Sequence, residues 1–486
     1  MLFNSYTFIF LFLPITFFIY FYLNSKRLLV ASKAFLVFAS LFFYSWWNIA
    51  YLPLILISML FNYSLGVSLV REKFHKQVSN KILLIIGIIA NLALLGYFKY
   101  ADFFIENINL TFSTDVSLLH LALPLAISFF TFQQIAYLVD SYRKETDEYD
   151  FLNYAIFVTF FPQLIAGPIV HHKEMMPQFA SENNRIKNYA NIATGLFIFS
   201  IGLFKKVVIA DTFAIGATQG FDNAEVLNLI EGWITSLSYT FQLYFDFSGY
   251  TDMAIGVALL FNIRLPINFD SPYKAVSIQD FWRRWHITLS RFLKDYIYIP
   301  LGGNRKSEIR TYANLFTTFL LGGIWHGAGW TFVLWGALHG FALMIHRLWQ
   351  KLGFKLPTIL AWFITFNFVN IAWVFFRARE FEDAIKVLNG MFGMSGVALP
   401  NVLASKLAFL KAYGVEFGMF MSHIKGTNIT LIYLGLAFIV VLALKNSAYY
   451  MQNFQPSKRY ALLSALLFAW GFFSLNKVSE FLYFNF

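Results

Sequence analysis

A histidine at position 326 stands inside LLGGIWHGAGWTFVLWGALHG (320–340), a stretch with no Asp, Glu, Lys or Arg. An imidazole in so apolar a segment has two readings. It is a hydrogen-bonded core residue in a glycine-packed helix interface, or it is a general base kept at membrane depth for its chemistry, because burying an ionisable group there is expensive. Gly322, Gly323, Gly327 and Gly329 lie beside it, and glycines permit the close backbone approach or local unwinding that a substrate path needs. A second imidazole, His286, falls in QDFWRRWHITLSRFLKDYI (279–297). Alone it reads as an interfacial histidine; if the fold brings it to His326, one ring can act as base while the other orients or assists it.

Two acids, Asp246 and Asp252, sit in QLYFDFSGYTDMAIG within an apolar run. They need cationic or hydrogen-bonding partners, and His286, His326 and the arginines of 279–297 are the expected suppliers. The chain ends in FLYFNF (481–486), where Tyr483 offers a phenol. At its ordinary pKa of about 10 a phenol is a poor nucleophile, but it accepts an acyl group once a base removes its proton. The competing reading is an interfacial aromatic belt. His171 and His172 precede Lys173 without metal-ligand spacing, and neither HExxH, GxSxG, a P-loop nor a dinucleotide fingerprint occurs. With no cysteine in 486 residues, thiolate nucleophiles and thiolate metal sites are excluded.

The elements that must position these groups are set by composition. The chain is 58% hydrophobic, 20% aromatic and 13% charged, too little polar surface to cover a soluble body of this size. Apolar stretches of spanning length occur near 5–23, 34–50, 52–70, 82–98, 120–139, 151–170, 188–210, 233–260, 312–346, 357–376, 429–444 and 460–476, giving an all-α polytopic membrane protein with about 11–13 membrane spans. The glycines of 322–329 divide the 312–346 stretch into two short or broken helices. The first run lacks a basic leader and a small-residue cleavage site, so it reads as an uncleaved span. No internal repeat and no separate soluble domain is evident, so the expectation is one integral membrane domain over 1–486.

Net charge is +11, and most basic residues lie in short gaps between apolar runs, which points to membrane orientation rather than nucleic acid. The gaps holding Lys26, Arg27 and Lys33, and Arg71, Lys73, Lys76 and Lys81, read as cytoplasmic. The gap 101–119 has no Lys or Arg and carries Asp102, Glu106 and Asp115, so it faces outward and puts the N-terminus outside. Lys445, Lys458 and Arg459 mark a cytoplasmic gap before the last span, so the C-terminus is also expected outside. Within 279–297, helical periodicity puts Trp282, Trp285, Leu289, Phe292, Leu293 and Tyr296 on one side and Arg283, Arg284, Arg291 and Lys294 on the other. That is a basic amphipathic helix for membrane lipids, or for attracting an anionic substrate from the cytoplasm.

Together, FFPQLIAGPIV (160–170), the stretch 244–305 containing FWRRWH, GGIWHGAGWTFVLWGALHG (322–340) and NIAWVFFRA (370–378) resemble the membrane-bound O-acyltransferases, in particular the bacterial branch that acetylates cell-envelope polysaccharides. The histidine of that family's WHG motif falls on His326 and that of its WRRWH motif on His286. The resemblance implies a helical bowl with a central tunnel, re-entrant or interfacial helices and a catalytic core segment at 244–346. It further implies acetyl-CoA as cytoplasmic donor, with Arg283, Arg284, Arg291 and Lys294 as the basic face for it, and no metal. Tyr483 in the 481–486 tail looks like an acyl carrier, and an esterase-like (SGNH-type) periplasmic acetyltransferase is the implied partner. The location implied is the bacterial inner membrane. The sixty phenylalanines hint at an AT-rich gene, which tilts the acceptor toward peptidoglycan over alginate. The alternative from another class is a transporter or flippase using the intramembrane His and Asp residues as a path.

Overall fold

The computed structural model describes residues 1–70, 79–146, 150–476 and 482. Six of its helices are long and apolar enough to cross a membrane: Phe8–Ser25, Ile49–Val70, Asn80–Lys99, Tyr189–Asn223, Trp330–Lys351 and Thr358–Arg377. Leu29–Ser45 and Asn428–Ala443 are apolar but shorter. The remaining expected stretches are also helical, yet differ from simple spans for identifiable reasons. The 151–170 stretch breaks at Phe160, leaving Phe151–Thr159 and the single turn Phe161–Leu164. Pro162 supplies no N–H there, and the Phe161 N–H is taken by the Ser40 hydroxyl at 3.1 Å. The 233–260 stretch lies in one helix of 32 residues, Leu229–Leu260, which carries a buried polar series including Thr235, Ser238, Gln242 and Asp246.

The chain forms two compact units. The first comprises 1–203, 250–267 and 453–475, and the second includes 204–249 and 268–452. In the first, Phe3, Phe8, Phe12, Phe43, Phe161 and Phe261 make a contiguous ring cluster, and the amino terminus donates to the Phe43 carbonyl at 3.0 Å. Buried amides pair with each other, as apolar helices require: Asn91 donates to Asn62 at 2.6 Å, and Asn62 to Gln134. A Cβ on Gly195 would lie 2.6 Å from the Gly256 carbonyl oxygen, so these helices meet backbone to backbone.

In the second unit, Glu308–His326 and Trp330–Lys351 form an antiparallel helical hairpin packed by the Thr358–Arg377 helix. Among the described residues, the helical chain makes one short excursion, a two-stranded parallel sheet of Val397–Pro400 and Val415–Gly418. Glycines at 396 and 414 with positive φ bound it. Its base is tied down where Leu229 donates to the Gly396 carbonyl at 3.0 Å and His423 bonds the buried Glu231 through backbone and ring, both at 2.8 Å.

Candidate active site

The Glu308–His326 helix starts on a capping serine, Ser307, whose hydroxyl accepts from the Arg310 N–H at 3.3 Å, and it ends on its own histidine. Residues 327 and 329 are extended, and the next helix begins at Trp330, so the division anticipated from the glycines is present. Their packing role is specific. A Cβ on Gly323 would meet the Phe332 carbonyl oxygen at 2.5 Å and Gly336 Cα at 2.8 Å, and one on Gly336 would meet the Phe319 carbonyl oxygen at 2.6 Å. The hairpin therefore closes with its backbones in contact, and His326 is fixed at its turn. The ring is 5% exposed and packs edge-on against Trp325, Trp335 and Phe376, with centroids at 4.8, 5.2 and 5.1 Å.

The 279–297 segment is not one helix. It consists of Ile278–Arg284, Ile287–Leu293 and a wider π-helical turn Lys294–Tyr298, with the break at Trp285 and His286. His286 takes φ +43°, a left-handed conformation that a non-glycine residue adopts only when its surroundings impose it. Asn268 imposes it. Its carbonyl oxygen accepts from the Ile287 N–H at 3.0 Å, and its side-chain oxygen accepts from the Thr288 N–H, the Thr288 hydroxyl and His286 Nδ1 at 3.1, 2.9 and 3.2 Å. The bond to Nδ1 places the proton there and leaves Nε2 as an acceptor. Nε2 is buried without a hydrogen-bond partner. The ring is fully buried on Phe247, at 4.7 Å. That burial pushes its pKa down to about 3, so it is neutral.

His286 and His326 are connected through other rings. A run of rings, Trp335, Trp373, Trp285, Phe269 and Phe247, joins them. The imidazole sharing a wall with His326 is His339, which the sequence reading did not single out. It packs edge-on against Trp335 at 4.7 Å and accepts from the Trp282 indole N–H through Nδ1 at 3.2 Å. It therefore carries its proton on Nε2, also buried and without a partner. His286 and His339 thus present opposite faces of the same chemistry, an acceptor and a donor.

The acid at 246 takes a lysine as its partner. Lys206, from the π-helical turn Lys205–Ala210, forms an ion pair with Asp246 and lies 3.6 Å from Asp211; Lys206 and Asp246 are buried. A lysine inside an apolar run signals that a partner is needed, and the fold alone shows which. Asp252 is buried as well. Of the basic residues, Arg283 and Lys294 are exposed, while Arg291 is half-buried. Arg284 is held by Asp280 at 2.8 Å and the Asp270 carbonyl at 3.3 Å. His171 and His172 serve Asp140 and Thr146 in the first unit. Tyr483 lies outside the described residues.

The sequence profile of the membrane-bound O-acyltransferase family matches residues 40–379, a span that contains His286, His326 and His339 and the elements that hold them. This chain belongs to the membrane-bound O-acyltransferase family. Membership makes it an enzyme, an O-acyltransferase, and replaces the transporter reading. Among similar proteins, the peptidoglycan O-acetyltransferase of Helicobacter pylori is 53% identical, with 100% of this chain and 98% of the relative covered. The probable alginate O-acetylase AlgI of Pseudomonas aeruginosa is 41% identical over 85% of this chain and 78% of its own length. The teichoic acid D-alanyltransferase of Bacillus subtilis is more distant, 29% identical over 53% of this chain. Similarity to acetylating members of the family therefore extends well beyond the shared core.

Proposed function

We propose that this O-acyltransferase takes acetyl from cytoplasmic acetyl-CoA and passes it across the bacterial inner membrane for O-acetylation of peptidoglycan. The observation that carries the reading is the match over the whole chain to a peptidoglycan O-acetyltransferase; the alginate relatives leave part of the chain unmatched. His326, buried at the turn of a glycine-packed hairpin, is the general base. The acceptor is Tyr483, which enters from the periplasmic side with both termini outside. His326 removes the phenolic proton as the phenolate oxygen bonds the acetyl carbon; the C–S bond breaks and the proton passes to the departing thiolate. His286 orients the reacting groups through its acceptor nitrogen. Arg283 and Lys294, exposed beside it, and Arg284 and Arg291 attract the phosphates of the donor. A periplasmic SGNH-type partner then moves acetyl from Tyr483 to the glycan hydroxyl. The segment 244–346 is the catalytic core and 481–486 the carrier tail.

The test is to supply acetyl-CoA labelled in its acetyl group to purified protein and analyse the C-terminal peptide by mass spectrometry. Label on Tyr483 in the wild type and none in His326→Ala is the expected result. Thioester cleavage that persists undiminished in His326→Ala would overturn the base assignment, and full polymer acetylation by Tyr483→Phe in cells would overturn the carrier.

A further inference from the structure

We propose that the groove between the end of the first span and the Arg185–Lys187 segment binds one anionic glycerophospholipid. The groove, about 660 Å³, is walled by Phe18, Ile19 and Tyr22 of the first span and by Ile186, with Arg185 and Lys187 at its edge. Its apolar walls are open to the surroundings: Phe18 and Tyr22 are each 61% exposed and Ile186 68%. Two ammonium groups sit on the aromatic wall. Lys187 Nζ lies 5.3 Å from the Phe18 ring and 5.8 Å from Phe17, and Lys26 Nζ lies 5.8 Å from Tyr22. Phe18 and Tyr22 are one helical turn apart, so the two cations flank the same face. Neither lysine is within ion-pair distance of a carboxylate among the described residues, whereas Arg185 is engaged by Glu182 at 3.3 Å and the Ala180 carbonyl at 3.1 Å.

An occupant must satisfy both halves. Acyl chains suit the aromatic and aliphatic wall, and a phosphodiester without a compensating amine suits two unneutralised lysines. A soluble phosphate would leave the wall exposed, and a zwitterionic headgroup would set its own cation against Lys26 and Lys187. The charge reading of the Lys26–Arg27 gap puts this site in the cytoplasmic leaflet; binding itself does not depend on that orientation or on the acetylation chemistry.

The full chain, purified in detergent and returned to nanodiscs of phosphatidylcholine with and without phosphatidylglycerol, is examined by native mass spectrometry. Wild type should retain a phosphatidylglycerol molecule in preference to phosphatidylcholine and melt at a higher temperature when it is present. A Lys26→Gln/Lys187→Gln variant should bind it about tenfold less tightly and lose the thermal shift. Ile186→Asp, which leaves both lysines in place at an exposed position, should have the same effect and decides the matter if the double variant does not fold. Equal retention of the two lipids by wild type, undiminished phosphatidylglycerol retention by the variants, or displacement of the lipid by sn-glycerol 3-phosphate would each overturn the proposal.

Discussion

A base that takes and returns a proton within one turnover must be fixed in position more firmly than it is charged, and packing fixes His326 in the way the role proposed for it requires. His326→Gln keeps most of the volume and removes the proposed base, so thioester cleavage should fall at least about a hundredfold with little change in melting temperature, measured side by side in detergent. His286 makes a different prediction. Its folded pKa of about 3 lies below the ordinary 6.5, so the unfolded chain binds the proton first as pH falls. Its contribution to stability is therefore complete above about pH 6.5 and is lost toward pH 3, at up to about 1.4 kcal/mol per pH unit. Melting curves between pH 7.5 and 4.5 should show a shallower acid decline for His286→Gln than for wild type. Both residues were legible in the sequence because their apolar or amphipathic settings make an imidazole costly. His339 was not, since its partner Trp282 is 57 positions away and a histidine in an apolar helix looks the same whether it serves the core or the site. Lys206 escaped for the same reason: its partner Asp246 is brought to it only by the fold.

Helices carry the next level of constraint. Gly336→Val would put side-chain atoms where the Phe319 carbonyl oxygen already lies 2.6 Å from a bare Cβ, and backbone cannot move aside as a flexible side chain does. The hairpin must separate, at a cost of about 3 kcal/mol or more. We expect a lowered melting temperature and loss of thioester cleavage together, because displacing the hairpin displaces His326. The 327–329 break was readable from composition alone, since glycine is the local cause. The break at His286 was not: the periodicity of apolar residues continues through it, and Trp282, Trp285, Leu289, Phe292 and Leu293 are all buried as one face. What ends the helix is Asn268, 18 residues upstream of His286, and a periodicity argument has no access to a partner at that separation. The short sheet at 397–418 was likewise invisible, its strands being four residues each.

At the scale of the whole chain, charge counting assigns an outward C-terminus, and the absence of native cysteine makes the assignment directly measurable. Tyr483→Cys in intact cells should react with a membrane-impermeant maleimide; reaction only after the cytoplasm is opened would reverse the orientation. Composition was sufficient for the class of protein, because a chain with 13% charged residues has few solutions outside a bilayer, and the motifs were sufficient for the family. The division into two compact units was not foreseen, as each draws on segments distant in sequence. Trp325 and Trp335 touch His326, Trp282 bonds His339, and Trp335, Trp373 and Trp285 follow one another at 5.6 and 4.9 Å. Indoles this close share excitation, so a molecule arriving beside any of them alters the emission of the group. The protein carries its own optical gauge of occupancy, readable by titrating an acyl donor against unlabelled enzyme.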